Sequence, residues 1–445
     1  MVVNNLIRRL GNAEYFYYQY NKIASTNFAV VLELNKHINP SGLRKAINIV
    51  VNKYQSFCTN IVPVNRNRLL FERREEKDYN IKIITGASEC FTSIIEKEIN
   101  TQFHDPSIPL RGIYYTEVET EGKYIIFTFN HTLTDAIGAI SISKKIIEMA
   151  YKKDFNNTIN KQEISLNLEQ LIPKSGKGLS FFKTLTKFII ANIKFEKKYR
   201  NYPHLKVAKY NFNSRSISIK KIVLNKKYYN SFILNSKDSN FTVHHILSAA
   251  QIIAIRKEYK CDGNVPITLS MPISLRNRLQ LEIQTDNPGL YISIPRLKIE
   301  VCENENILDI ASKVKRELSN QISSGQIFIN WKLLPRSKFN IDKNNLINIE
   351  KQFSKNSPST MITNVGVIRC IEDTNDSPVK SIHFTVAPPK NALLCSSVSS
   401  YDNILKINCC FNTDLISEES IQNIYDSFKY QVMDFAEYKN HITVK

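Results

Sequence analysis

Residues 124–150 read YIIFTFNHTLTDAIGAISISKKIIEMA. Tyr124 to Phe129 is a run of aromatic and β-branched residues, the composition of a strand. Asn130 and His131 stand where that strand runs out, and Thr132 to Asp135 forms a short polar connection. From Ala136 onward, Ile137, Ile140, Ile142, Ile146 and Ile147 recur at roughly helical spacing, with Lys144, Lys145 and Glu148 opposite. Asp135 falls at the helix N-cap, where a carboxylate accepts from the free N–H groups of the first turn. The stretch is strand, tight turn and helix, with an imidazole held at the strand exit. A histidine titrates near pH 6.5 when unperturbed, so its neutral form can accept a proton at cellular pH. Taken alone, His131 and Asp135 are better explained as a satisfied polar residue and a helix cap.

Three further stretches change that balance. They are RRLGNAEYFYYQ at 8–19, LSMPISLRNR at 269–278 and TMITNVGV at 360–367. Together with His131-Thr-Leu-Thr-Asp135 and Gly138, their order resembles the HxxxD superfamily of acyl-CoA-dependent acyltransferases and condensation domains. That superfamily includes plant BAHD enzymes, alcohol acetyltransferases, polyketide-associated acyltransferases and non-ribosomal peptide condensation domains. The resemblance implies an α/β (α+β) fold of two similar chloramphenicol-acetyltransferase-like subdomains, each a mixed sheet covered by helices. An active-site tunnel would run between them, with His131 reachable from both ends. It further implies that His131 is the general base and that Asp135, the second member of the catalytic pair, turns away from substrate. Asp135 would pair with Arg276, of the Pro-x-x-Leu-Arg stretch, to orient the site. Asn130, Gly138 and Asn364 are the residues expected along the tunnel.

The chain departs from the pattern in places. Asn130 stands where condensation domains carry a first histidine, and Ala136 replaces the glycine that usually follows the aspartate. The plant-type Asp-Phe-Gly-Trp-Gly stretch is absent, and Trp331, the single tryptophan, lies in another context. These features favour a polyketide-associated, alcohol-acetyltransferase or condensation-like enzyme over a plant BAHD one. His244-His245 lacks a following acid and glycine and reads as a helix start. No Gly-x-Ser-x-Gly elbow, Gly-rich phosphate loop or metal-ligand cluster accompanies the motif. The expectation is therefore no metal and no tightly bound cofactor, with acyl-CoA or acyl-carrier protein as co-substrate and an alcohol or amine as acceptor. The alternative is a catalytically weak member of the fold serving as a lipid-, carrier- or membrane-binding scaffold.

At 445 residues the chain exceeds the usual size of one core, so two domains are the default. The expected division is an N-terminal subdomain at 1–173, a basic linker at 174–215 and a C-terminal subdomain at 216–445. The first half reads as strands near Phe28–Leu34, Arg68–Phe71, Ile81–Ile84 and Pro109–Glu117, with helices at Pro40–Tyr54 and Cys90–Phe103. The second half reads as strands near Lys220–Leu224, Val265–Pro272, Leu290–Pro295, Thr360–Ile368, Ser381–Val386, Leu393–Ser400 and Ile404–Phe411. Its helices are expected at Thr242–Tyr259, Ile307–Ser323 and Ser417–Phe435.

Net charge is +19, and Lys174 to Lys227 supplies most of it, with fifteen lysines and arginines against one acid, Glu196. Within it Phe182, Leu185, Ile189 and Ile193 could line one helix face and Lys183, Lys187, Lys194 and Lys198 another. The plain reading is a solvated crossover helix with its apolar face on the core. The others are an anionic membrane surface or an acidic carrier protein. Nucleic acid is not expected, because no recognition motif accompanies the charge. The scattered cysteines, the lack of an 18-residue apolar run and an N-terminus unlike a signal peptide suggest a cytoplasmic protein, peripheral to a membrane at most, and a monomer.

Overall fold

The computed structural model describes residues 6–22, 24–65, 68–155, 161–173, 178–198, 216–258, 263–332, 359–371, 377–390 and 392–437. In chain order the first half runs β1 (Leu6–Arg9), α1 (Asn12–Tyr20), β2 (Phe28–Leu34), α2 (Pro40–Lys53), β3 (Thr59–Asn65), β4 (Arg68–Arg73) and β5 (Ile81–Gly86). It continues with α3 (Ser88–Asn100), β6 (Leu110–Glu117), β7 (Lys123–Phe129), α4 (Ala136–Lys152) and the single turn α5 (Leu168–Leu171). The crossover helix α6 (Gly178–Lys198) leads to β8 (Ile217–Leu224), α7 (Lys226–Asp238), α8 (Val243–Glu258), β9 (Val265–Ser270), β10 (Ile273–Ser274), β11 (Ile292–Ser293) and β12 (Arg296–Val301). Then come α9 (Ile307–Ser323), α10 (Ile329–Lys332), β13 (Ser359–Val367), β14 (Val379–Val386), β15 (Ala392–Tyr401), β16 (Ile404–Asn412) and α11 (Glu418–Glu437).

Two mixed sheets carry the architecture. One has the order β14-β2-β7-β6-β5 and the other β12-β9-β13-β15-β16-β8. The alternation along β2 and β7 explains why the first is buried on both faces. Phe28, Val30, Leu32, Ile125, Phe127 and Phe129 enter a core shared with α2 and α4. Ala29, Val31 and Ile126 point the other way, toward Phe91, Ile95 and Ile99 of α3. Successive strand residues face opposite sides, so one sheet can fill two cores. The same rule separates Cys409 and Cys410, which are both buried but belong to different cores. The second sheet is backed by α7, α8, α9 and α11 around Phe232, Ile246, Val314 and Phe428. Mixed sheets covered by helices are the fold class expected from the sequence.

The two sheets are joined by a strand exchange. β14, from the second half of the chain, pairs antiparallel with β2, from Val379↔Leu34 to Val386↔Phe28. It leads through a short loop into β15 at the centre of the other sheet. Asn408 Nδ2 donates to Phe384 O at 2.7 Å, and Ser397 Oγ accepts from Val386 N at 3.1 Å. These bonds lie across the contact between the sheets.

Several elements differ from expectation. The expected strand at Leu290–Pro295 shrinks to Ile292–Ser293, which pairs with Ile273–Ser274. The flanking backbone is drawn elsewhere, since Trp331 Nε1 donates to Ile292 O at 2.7 Å and Leu275 N to Tyr291 O at 2.7 Å. β3, β12 and α7 were not anticipated. β12 is an edge strand whose alternation Leu297, Ile299, Val301 is broken up by charges, and α7 starts on an Asn225 cap with few apolar residues. Of the basic linker, 174–177 and 199–215 lie outside the described residues.

Ile382 of β14 is 1% exposed in the first core. Ile382→Ala should lower the unfolding free energy by about 2–5 kcal/mol in urea titration, with signals from both sheets moving together.

Candidate active site

His131 lies two residues beyond the end of β7, at the start of the turn into α4. Its ring is fixed from three sides. Nδ1 is 2.9 Å from Thr134 O, and since a carbonyl can only accept, Nδ1 carries the proton and Nε2 keeps its lone pair. Tyr17 of α1 stacks on the imidazole at 4.1 Å between centroids, and Phe28 of β2 meets it edge-on at 4.9 Å. The side chain is 8% exposed. Burial pushes its pKa down to about 4, against smaller opposing effects of the Thr134 carbonyl and Asp135. At a pKa of about 4 the imidazole is neutral at pH 7, with the Nε2 lone pair unprotonated.

Asp135 is spent on structure. Oδ1 accepts from Gly138 N at 3.0 Å, capping α4, and from Arg276 Nη2 at 2.8 Å. Oδ2 accepts from Tyr291 N at 3.2 Å, while Asp135 N donates to Gly289 O at 3.0 Å. Arg276 Nη1 donates to the carbonyls of Gln284 and Asn287 at 3.0 and 3.1 Å, and the guanidinium lies over the Tyr291 ring. Both partners are nearly inaccessible, with side chains 6% and 1% exposed. The His131 turn is thereby clamped to the 276–291 loop of the second half. A second link runs in parallel, Lys145 of α4 to Asp286.

Gly138 belongs to this clamp. A Cβ there would come within 2.7 Å of Thr134 Oγ1, so the missing side chain lets the turn close against the start of α4. Asn130 is also engaged in scaffold contacts. Its Nδ2 donates to Pro106 O and Ile108 O at 3.1 and 3.3 Å, and its Oδ1 accepts from Thr132 N at 3.0 Å. Asn364 is half-buried on β13, where Oδ1 accepts from Gly366 N at 2.7 Å and shapes an irregularity in the pairing with β15. Gly366 takes φ +75° there, a conformation suited to glycine. The structure thus brings His131, Asp135, Arg276, Gly138 and Asn130 into one assembly and places Asn364 on a neighbouring sheet. His244 lies apart from this assembly, its Nε2 donating to Ile362 O of β13 at 3.3 Å.

Tyr17 went unrecognised in the sequence. The Arg-x-Leu-Gly-x-x-Glu stretch explains its position. Glu14 accepts from Gly11 N at 2.6 Å, closing the first turn of α1, and is gripped by Arg8 at 2.7 and 2.8 Å. A Cβ at Gly11 would meet Glu169 Oε2 at 2.6 Å, so α1 can press against the segment around α5. The available signal was the aromatic run Tyr15-Phe16-Tyr17-Tyr18 directly after that capped turn.

Residues 213–400 match the family model described as the phthiocerol/phthiodiolone dimycocerosyl transferase C-terminus. Among solved structures, the chain is similar to polyketide synthase associated protein 5 from Mycobacterium tuberculosis, with 14% identity, 99% of this chain and 100% of that one covered, and a TM-score of 0.66. The family-model match spans less than half of the chain, and the likeness to solved acyltransferase and condensation-domain structures is one of fold. A trichothecene 15-O-acetyltransferase from Fusarium sporotrichioides superposes with a TM-score of 0.73 at 13% identity, covering 97% of this chain and 95% of that one. The first condensation domain of the CDA synthetase gives 0.67 at 10% identity, covering 97% and 96%. No curated protein matches the chain in sequence. At these identities the structural likeness carries the fold alone.

Three outcomes follow from the site. Arg276→Ala should cost roughly 3–5 kcal/mol, because it leaves the Asp135 carboxylate buried without its cation; thermal or denaturant unfolding measures it. For His131, the folded pKa near 4 lies below the unfolded value near 6.5. The unfolded chain therefore binds the extra proton, and His131 lowers stability as pH falls from about 6.5 to about 4. Removing the stacked ring in Tyr17→Ala should admit water and raise the His131 pKa toward 6.5, read by NMR titration of labelled imidazole.

Proposed function

We propose that the protein transfers an acyl group from a thioester donor, acyl-CoA or an acyl-carrier protein, to an alcohol or amine, with His131 as general base. The observation that carries this reading is the oriented, neutral imidazole. Nδ1 is committed to the Thr134 carbonyl at 2.9 Å, which leaves Nε2 as the acceptor. The acceptor's O–H or N–H proton passes to Nε2 as its heteroatom attacks the thioester carbonyl carbon. The tetrahedral intermediate collapses, the carbon–sulfur bond breaks, and the departing sulfur takes the proton back from the imidazolium. An ester or amide and a free thiol result, and the imidazole returns to its neutral form. A thioester is already activated, so the scheme uses no covalent acyl-enzyme.

Asp135 is a positioning residue in this scheme. Its oxygens are occupied by Gly138 N, Arg276 and Tyr291 N, and the His131 Nδ1 proton goes to the Thr134 carbonyl. Its contribution is to hold the turn, which a rigid base needs to keep within hydrogen-bond reach of its substrate. Gly138 and Asn130 support the same turn, and Asn364 is retained as a tunnel residue of this proposal.

A second reading, a fold member that binds an acyl chain, carrier or membrane without turnover, draws on one observation. His131 is only 8% exposed, with Tyr17 stacked on one face at 4.1 Å, so the imidazole is largely enclosed.

Thiol release separates the two. With a panel of acyl-CoA and acyl-carrier donors and mixed alcohol and amine acceptors, His131→Ala that keeps its circular dichroism should lose activity by about 10²–10⁴-fold. Turnover by the variant equal to wild type would remove His131 from the chemistry. Absence of turnover with every donor class would support the non-catalytic reading.

A further inference from the structure

α6 (Gly178–Lys198) holds five lysines and a single acid, Glu196. One side of it is tied to the second half of the chain. Thr184 Oγ1 donates to Ser324 O at 2.9 Å, Lys198 pairs with Glu300 at 2.6 Å, and Leu185 and Phe188 are half-buried. The solvent side is apolar as well as basic. Phe182 is 63% exposed, Ile189 47%, Ile190 47% and Ile193 60%. Of the four residues expected to share an apolar face, Phe182, Ile189 and Ile193 turn to solvent, against the plain reading that this face packs on the core, and Leu185 is half-buried.

The angular arrangement gives the helix its character. At about 100° per residue, Phe182, Ile189 and Ile193 share a stripe about 40° wide. Lys197, Lys183, Lys194 and Lys187 form a second stripe beginning about 40° further round, on the same open side. Isolated apolar residues on a surface need no explanation, but a run of them along one ridge, flanked by a row of cations, does. A second copy of this chain is a poor occupant, since a two-fold contact would set lysine stripe against lysine stripe in a molecule already at +19. An acidic protein would match the charge but needs an apolar groove to receive a convex ridge. An anionic bilayer surface offers both layers at once, phosphate and carboxylate groups above an acyl boundary.

We propose that α6 lies in the plane of an anionic membrane surface, with Phe182, Ile189 and Ile193 entering the acyl boundary and Lys183, Lys187, Lys194 and Lys197 at headgroup level. The helix is not a membrane span, as no helix among the described residues is long and apolar enough to cross. The binding does not depend on whether His131 turns over thioesters.

Flotation of the full chain with vesicles tests this. Wild type should float with phosphatidylcholine vesicles containing about one third phosphatidylserine, should not float with pure phosphatidylcholine, and should be released when salt rises to about 0.5 M. Ile189→Ser with Ile193→Ser, and separately Lys183→Glu with Lys187→Glu, should each reduce flotation at least tenfold with circular dichroism and thiol release in solution unchanged. The proposal is overturned if wild type stays with the soluble fraction, or if either pair floats like wild type. It is also overturned if wild type is a dimer by light scattering that both pairs convert to monomer, or if both pairs lose an acidic carrier protein while still binding vesicles.

Discussion

The site hangs on the pair between Asp135 and Arg276. An ion pair with both side chains inaccessible is expensive to desolvate, and its Coulomb attraction offsets that cost only when the remaining lone pairs and protons are matched. Here most of them are matched, the buried Arg276 Nε being the exception. Asp135 also accepts from Gly138 N and Tyr291 N, and Arg276 also donates to Gln284 O and Asn287 O. The pair therefore does more than hold two charges together. It fixes the first turn of α4, the shape of the 284–291 loop and the approach of the second half of the chain to the first. Gly138 fits this arrangement, because a methyl group there would crowd Thr134 Oγ1 within the turn.

The imidazole depends on that frame without touching it through a carboxylate. Its tautomer comes from a backbone carbonyl three residues on, inside the turn that Asp135 caps. Its neutral state comes from enclosure by Tyr17 and Phe28 and the loss of water around it. Orientation and protonation are thus set by different parts of the molecule. The clamp supplies the first, and the packing of α1 against the strand exit supplies the second. α1 is in turn held by Glu14, gripped by Arg8 and closed on Gly11 N.

What was legible in the sequence was local. Strand, turn and helix at 123–152 follow from β-branched alternation, an Asp cap and apolar spacing, all within one stretch of chain. Most helices and inner strands were visible for the same reason. The Asp135–Arg276 pairing spans 141 residues and came only through resemblance, since nothing in either segment alone names its partner. Three features stayed hidden because they are long-range. β14 leaves its neighbours in sequence to pair with β2, a choice made by the two cores rather than by Val379–Val386 itself. Tyr17 reads as one aromatic among several until α1 is docked. The apolar residues of α6 were assigned to the core because amphipathic spacing says which residues share a face and not which way that face is turned.

The central claim is that enclosure, rather than a carboxylate partner, keeps His131 neutral and ready to accept a proton. The pH dependence of kcat/KM for thiol release tests it most directly, because it reports the essential groups of the free protein. The expected acid limb has an apparent pKa near 4. A limb at about 6.5, the ordinary value for a solvated histidine, would contradict the account.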